Sequence, residues 1–281
     1  MNKAVQQLML GTVCKDENST KSVLKRIKDA GYDGIELNRF MIHPTPFLVK
    51  MLTKFAGMPS GNTGKLNWPE LVKEADLKVV SLHTDLNSLE QDYDAIKSDL
   101  QALDTHTVVI TGMYRFPYED KDEVSNLAKR LNAVGERLTK DQYRLFYHNH
   151  NIELLQVEKD KRALDILIDE TNENYVNFEL DTYWLSEAGG DPLYWMKRMN
   201  HRLKYWHIAD RGTRLTKTAM TPILKSDSVE LGLGNIPLKE LSEYAKEIGV
   251  ETVVLESHKN WVNHSPIESI EKSALFFKEN L

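Results

Sequence analysis

Tyr143-Arg-Leu-Phe-Tyr-His148 is a short apolar, β-rich run that stops on histidine, and the next such run, Val176-Asn-Phe-Glu-Leu-Asp181, stops on aspartate. Between them, Arg162 to Glu170 repeats its apolar residues at helical spacing. A strand, a helix and a second strand of this kind form one βα step, and two buried strands joined by a helix pair in parallel. The same step extends outward in both directions. Upstream the strand candidates are Gln7 to Thr12, Gly34 to Leu37, Val79 to His83 and Thr107 to Thr111, and downstream they are Leu203 to Ala209 and Thr252 to Glu256. Helical stretches separate them: Ser22 to Ala30, Phe47 to Ala56, Tyr93 to Leu103, Asp122 to Leu138, Pro192 to Met199, Leu238 to Ile248 and, after the last strand, Pro266 to Glu279. Eight strands, each followed by a helix, predict a single (β/α)8 barrel spanning residues 1–281. The rival is a doubly wound open sheet. Its dinucleotide signature, G-x-G-x-x-G after the first strand, is absent.

Length and composition narrow the function classes. A chain of 281 residues suits one such barrel, which commonly takes about 250. Hydrophobic residues at 41% supply a core, which argues against disorder. A net charge of −6 offers no chain-wide cationic field for nucleic acid. The lone Cys14 makes an intrachain disulfide impossible and a thiolate metal site improbable. The start has too short an apolar run for a signal peptide, and no run reaches membrane-spanning length, so a cytoplasmic protein without a membrane partner is expected. Whether it forms a homo-oligomer stays open.

In a barrel of this kind, residues at strand C-termini build the active site. Here Glu36 ends the second strand, His83 the third, His148 and His150 the fifth, Asp181 the sixth, His207 the seventh and Glu256 the eighth. Core packing alone does not explain apolar runs that end repeatedly in His, Asp or Glu, because an unpaired buried charge is costly. Each residue also has a plainer reading. Asp181 and Glu256 would serve as loop caps or arginine partners, His207 as a hydrogen-bonded core histidine, Glu36 as the partner of Arg39, and Trp195 as packing. Only convergence of the set on one pocket favours function.

Several segments carry a family resemblance: Gly31-Tyr-Asp-Gly-Ile-Glu36-Leu, Ser81-Leu-His83, Tyr147-His-Asn-His-Asn-Ile-Glu153, Glu179-Leu-Asp181-Thr-Tyr-Trp184, Trp206-His207-Ile-Ala-Asp210 and Leu231-Gly-Leu-Gly-Asn-Ile-Pro237. Over essentially its whole length the chain resembles the xylose-isomerase-like TIM-barrel superfamily, in the group of sugar phosphate isomerases and epimerases. The resemblance implies one divalent metal per chain, Mn, Mg, Co or Zn, held by His148, Asp181, His207 and Glu256. It further implies a Lewis acid acting on a sugar carbonyl or hydroxyl and stabilising an enediolate.

Departures from the pattern bear on mechanism. Many relatives place a glutamate at the strand-five position, where this chain has His148, so a two-glutamate epimerase site would need Glu153 to fold back into the pocket. Trp184 stands where relatives often carry a histidine, and it offers a stacking face for a sugar ring. Ala209 replaces a frequent lysine, whose contact would pass to Arg211 or Arg214. The leading expectation is an enzyme that isomerises or epimerises a monosaccharide, keto-sugar or cyclitol by proton abstraction next to a carbonyl. Dehydration of a keto-sugar or inosose is the alternative outcome. Glu256 or Glu153 is then the base, His150 a proton shuttle, and Glu36, His83, Trp184 and Arg211 position hydroxyls. A rival class is a carbohydrate-binding barrel that has lost catalysis, for which the changes at His148 and Trp184 argue. A nuclease on the same fold would need several metals and a cationic face.

Overall fold

The computed structural model describes residues 1–44, 63–215 and 218–281. Eight parallel strands close into a barrel: β1 (Asn2–Gln6), β2 (Gly34–Asn38), β3 (Lys78–Thr84), β4 (Thr107–Thr111), β5 (Arg144–His148), β6 (Val176–Asp181), β7 (Leu203–Ile208) and β8 (Thr252–Leu255). Each pairs with its neighbour in chain order, and β1 closes the ring by laying Ala4 opposite Val254 of β8. The fold class read from the sequence is the one observed. β4 and β6 occupy the expected ranges, and most other strands differ only by a residue at an end.

The first strand is the exception. It lies at Asn2–Gln6, and the expected strand at Gln7 to Thr12 begins instead with a 3-10 turn, Gln7–Leu10. Periodicity cannot separate a short buried strand from a short buried turn. Met9 and Leu10 are fully buried and so look like strand residues, whereas β1 contributes only Ala4 and Val5 as apolar signal. Gln6 closes the strand by accepting a hydrogen bond from the Leu8 N–H (3.1 Å).

Outside the barrel, helices lay their apolar stripes on the strands. In Glu17–Ala30 the buried residues Thr20, Val23, Leu24 and Ile27 recur at three- and four-residue spacing. Asp16 and Ser19 form a capping box at its start, and Gly31 (φ 102°) ends it in the left-handed conformation a side chain disfavours. Full burial of each large apolar side chain contributes about 1.5–3 kcal/mol. Pro192–Met199 forms as expected, and Phe47 to Ala56 lies outside the described residues. Among the described residues four short helices escape sequence reading, Arg39–Ile42, Trp68–Glu74, Leu86–Gln91 and Thr182–Glu187, because none completes enough turns to establish a period. Among the described residues no helix is long and apolar enough to cross a membrane.

The barrel interior is layered, and this places the site. Near the N-terminal ends, Ala4, Val80, Val109, Phe146, Tyr205 and Val254 form a separate apolar cluster. Phe146 and Tyr205 meet edge to face (4.9 Å), and the Tyr205 hydroxyl donates to the Val80 carbonyl (3.0 Å). Side chains two apart on a strand share a face. One step beyond Ala4, Val109, Phe146, Tyr205 and Val254 therefore stand Gln6, Thr111, His148, His207 and Glu256. A dry plug below supports a polar layer above.

Candidate active site

The polar layer floors a cavity of about 1090 Å³ at the strand C-termini. His83, His148, His150, Asp181, Trp184 and Glu256 border it. Glu36 and His207 are fully buried directly beneath.

At and beneath the cavity floor three imidazoles and four carboxylates interlock. His207 Nδ1 lies 2.9 Å from Glu256 Oε2 and 4.0 Å from Asp181 Oδ2. Its Nε2 lies 2.6 Å from Glu36 Oε1. His148 Nδ1 lies 3.1 Å from Oε2 of Glu179. His83 Nε2 reaches both Glu36 Oε1 (2.9 Å) and Glu179 Oε2 (3.0 Å). Glu36 also accepts from Gln6 Nε2 (2.9 Å) and from the Ser81 hydroxyl. Its plainer reading, a pair with Arg39, is not observed: Arg39 Nε donates to Asp99 (2.9 Å).

Two causes set the protonation states here, burial and neighbouring charge. Burial alone would lower His207 and His83, yet the charges of Glu179 and Glu36 outweigh it, lifting His207 well above the ordinary histidine value and His83 to about 10. His148 goes the other way, lowered by burial and then by the charge of His207. His150 is driven down to about 3 by burial and the proximity of His148, so it stays neutral at physiological pH. Burial, reinforced by Glu256, pushes Asp181 up to about 7. Against its own burial, Glu256 is held below the usual carboxylate range by His258 and His207.

The remaining expected residues fall in distinct places. Trp184 is half-buried at the cavity wall, its ring 6.1 Å from His150 and 6.0 Å from His258. Arg211 does not border the cavity, and its Nε donates to Glu187 (2.6 Å), which does. Glu153 is fully buried off the cavity. Its Oε1 accepts from the Tyr147 hydroxyl (2.8 Å) and its Oε2 from the His150 N–H (2.8 Å), so it braces the loop that carries His150. Trp195 packs in the core.

Sequence reading missed Glu179, although it shares the inward face of β6 with Asp181 two residues on. It also missed Asp210, whose carboxylate gathers the N–H groups of Arg211, Gly232, Gly234 and Ile236 (2.8–3.1 Å). A Cβ on Gly234 would run into that carboxylate, so the Gly-Leu-Gly segment wraps an internal anion.

His148, Asp181, His207 and Glu256 each offer a donor atom within 4.8 Å of the others. Two imidazoles and two carboxylates nearly neutralise a divalent cation and suit oxygen- and nitrogen-loving metals. The second nitrogens support the fit. Histidines that bind metal usually donate their other N–H to a carboxylate. His148 meets Glu179 and His207 meets Glu36 in this way.

Comparison with known proteins agrees with this architecture. The family model described as xylose isomerase-like TIM barrel matches residues 24–280. Among curated proteins, an inosose dehydratase of Clostridium botulinum (strain Alaska E43 / Type E3) is 30% identical over 37% of this chain and 33% of its own length. The chain thus matches about a third of that relative. Among solved structures, a sugar phosphate isomerase/epimerase from Parabacteroides distasonis superposes with a TM-score of 0.76 at 20% identity, covering 99% of this chain and 93% of the other. A structure of the IOLI protein with a binding zinc atom superposes with a TM-score of 0.69 at 14% identity, covering 99% and 97%.

Proposed function

The chain belongs to the xylose isomerase-like TIM barrel family, and on that premise we propose a metal-dependent enzyme that removes a proton next to the carbonyl of a monosaccharide, keto-sugar or cyclitol, with isomerisation or epimerisation as the outcome. The supporting observation is the meeting of His148, Asp181, His207 and Glu256 at the floor of a large cavity. When bound there, a divalent metal would supply a Lewis acid for a substrate oxygen and stabilise the negative charge that develops on it.

The chain's own groups do the rest. Glu256 turns Oε2 to His207 and leaves Oε1 toward His258 (3.7 Å) at the cavity edge, where it takes the substrate proton. Neutral His150, facing the same space, relays it. Glu153 fixes the backbone from which His150 projects. Gln6, Asn38 and His83 present donors and acceptors to ring hydroxyls from the floor, while Glu36 orients His83 and His207 from below. Trp184 offers its face to the ring. Trp184→Ala is expected to weaken sugar binding by about 1 kcal/mol, roughly fivefold, with a smaller effect on the melting temperature. A large loss of stability with sugar affinity intact would place Trp184 in the core.

The curated relatives named inosose dehydratase favour a second outcome from the same first step, in which a hydroxyl leaves and water is lost. One experiment separates these readings. The metal-loaded protein is incubated with keto-sugars and inososes in deuterated water, and products are weighed. Metal-dependent deuterium uptake at constant carbon skeleton and oxygen count supports isomerisation or epimerisation, and loss of one water supports dehydration. A protein that binds sugar, retains no metal and exchanges no deuterium is a carbohydrate-binding barrel, and the enzyme reading falls.

A further inference from the structure

We propose that Glu179 is a positioning residue that aims two of the four ligand side chains, His148 and His207, at the metal position and ties His83 of the cavity wall to the same point. The inference rests on the metal reading above. Glu179 sits in β6 with its side chain on the inward face, fully buried. Its Oε2 lies 3.0 Å from His83 Nε2, 3.1 Å from His148 Nδ1 and 3.3 Å from His207 Nε2. One carboxylate oxygen thus faces three imidazoles.

The consequence is a choice of tautomer. A carboxylate only accepts hydrogen bonds, so the nitrogen that faces it must carry the hydrogen. For His148 that nitrogen is Nδ1, and the Nε2 lone pair is then the one open to a cation. His207 Nε2 likewise faces Glu179 and Glu36, while its Nδ1 faces Glu256 and carries a hydrogen of its own, which a cation bound on the Asp181 and Glu256 side would displace. Without Glu179, His148 would lose the one carboxylate on its Nδ1 side among the described contacts.

Packing does not demand a carboxylate at this point. A buried charge costs several kcal/mol in desolvation, and an apolar residue of similar volume is often the more stable choice. Moreover, Glu179 Oε1 is buried with no hydrogen-bond partner among the described residues, a further cost that three imidazole contacts to Oε2 must offset. The neighbours Phe178 and Leu180 fill the outward side with apolar bulk. A residue expensive to bury is kept where it orders the ligands.

A different use of the same atoms is conceivable, since His83, His148, Glu179 and His207 also present donors within 4.8 Å of one another. A second cation there would oblige His148 and His207 to bridge two metals through both ring nitrogens. The test separates this case.

Histidine nitrogen NMR of the metal-free protein reads the tautomer directly, and chelator competition with Mn or Zn reads affinity and stoichiometry. In the wild type, His148 is expected as the Nδ1–H tautomer, with one metal bound. Glu179→Met keeps the length but not the acceptor, and it is expected to erase that preference and weaken metal binding about 10- to 100-fold. Glu179→Gln keeps an acceptor oxygen and should recover most of both. If Glu179→Met does not fold, Glu179→Ser, whose space admits water, takes its place. A merely structural Glu179 would lower the melting temperature and leave tautomer and affinity at wild-type values, which overturns the proposal. So does a wild-type His148 in the Nε2–H form, whatever the variants do. Two metals in the wild type and one in Glu179→Met would make Glu179 a ligand, and that also overturns it. A wild type that binds no metal instead defeats the functional reading, while the tautomer still decides for or against Glu179.

Discussion

Glu256→Gln is expected to fold as the wild type and to lose proton exchange by a factor on the order of 10²–10⁴, the usual contribution of a positioned acid or base. The change removes the charge that lies 2.9 Å from His207 Nδ1, so divalent metal should bind more weakly as well. The isosteric amide fills the same space, which is why the barrel should survive. Glu153→Gln provides the contrast. Its carboxylate is off the cavity and serves Tyr147 and the His150 backbone, so exchange should stay within about tenfold of wild type. The cost should appear instead in stability, because one of two buried donors loses its acceptor. Proton exchange from a bound keto-sugar and thermal unfolding, run on both variants, check this. If exchange survives in both at the wild-type rate, neither glutamate is the base; if only Glu153→Gln abolishes it with the melting temperature intact, the base is Glu153.

Adding metal at about 1,000 times its dissociation constant should stabilise the fold by about 4 kcal/mol, which for a domain of this size is roughly 10 °C in melting temperature. This gain should depend on pH with a definite sign. Asp181 ionises near 3.9 in an unfolded chain and at about 7 here, because burial and then Glu256 disfavour its charge. Between those values the metal-free fold holds a proton that the unfolded chain has lost. Its contribution to stability is therefore present at low pH and fades as pH rises through about 7. At the proposed site metal would need the Asp181 carboxylate and Nδ1 of His207, a histidine that the charges of Glu179 and Glu36 lift well above the ordinary range so that it holds its proton in the metal-free protein. Both protons oppose binding at acidic pH. The metal-induced shift should therefore shrink steeply from pH 8 to pH 5.5. His148 contributes less to this pH dependence, because burial and His207 lower its value. Calorimetry in buffers of different ionisation enthalpy should detect protons released on metal binding at pH 6 and fewer at pH 8. An equal melting shift at both ends of the range would contradict this.

The sequence was most legible where burial and strand ends coincide. Phe146 then His148, Tyr205 then His207, and Val254 then Glu256 each place an apolar plug residue two positions before a polar one, and the strand period carries both to the interior. Glu179 shares the inward face with Asp181, but Asn177 rather than an apolar plug residue stands two positions before it, and between Phe178 and Leu180 a charge looks like an interruption rather than a site. β1 was misread because Leu8, Met9 and Leu10 concentrate more apolar character in a turn than Ala4 and Val5 do in the strand. Local pattern could not assign Glu153, since its partners Tyr147 and the His150 N–H are set by how the loop folds back. The Leu231 to Pro237 segment is legible in the sequence as a motif but not as a shape. Its shape comes from Asp210, which gathers the N–H groups of Gly232, Gly234 and Ile236 together with that of Arg211, beside the antiparallel pairing of Asp210–Gly212 with Asp227–Val229.

A crystal structure of the protein grown with Mn, with anomalous scattering used to find the ion, tests the central claim most directly. One peak is expected about 2.0–2.4 Å from His148 Nε2, His207 Nδ1 and a carboxylate oxygen each of Asp181 and Glu256, at the cavity floor. No peak at saturating metal, or a peak away from those four atoms, would contradict the account.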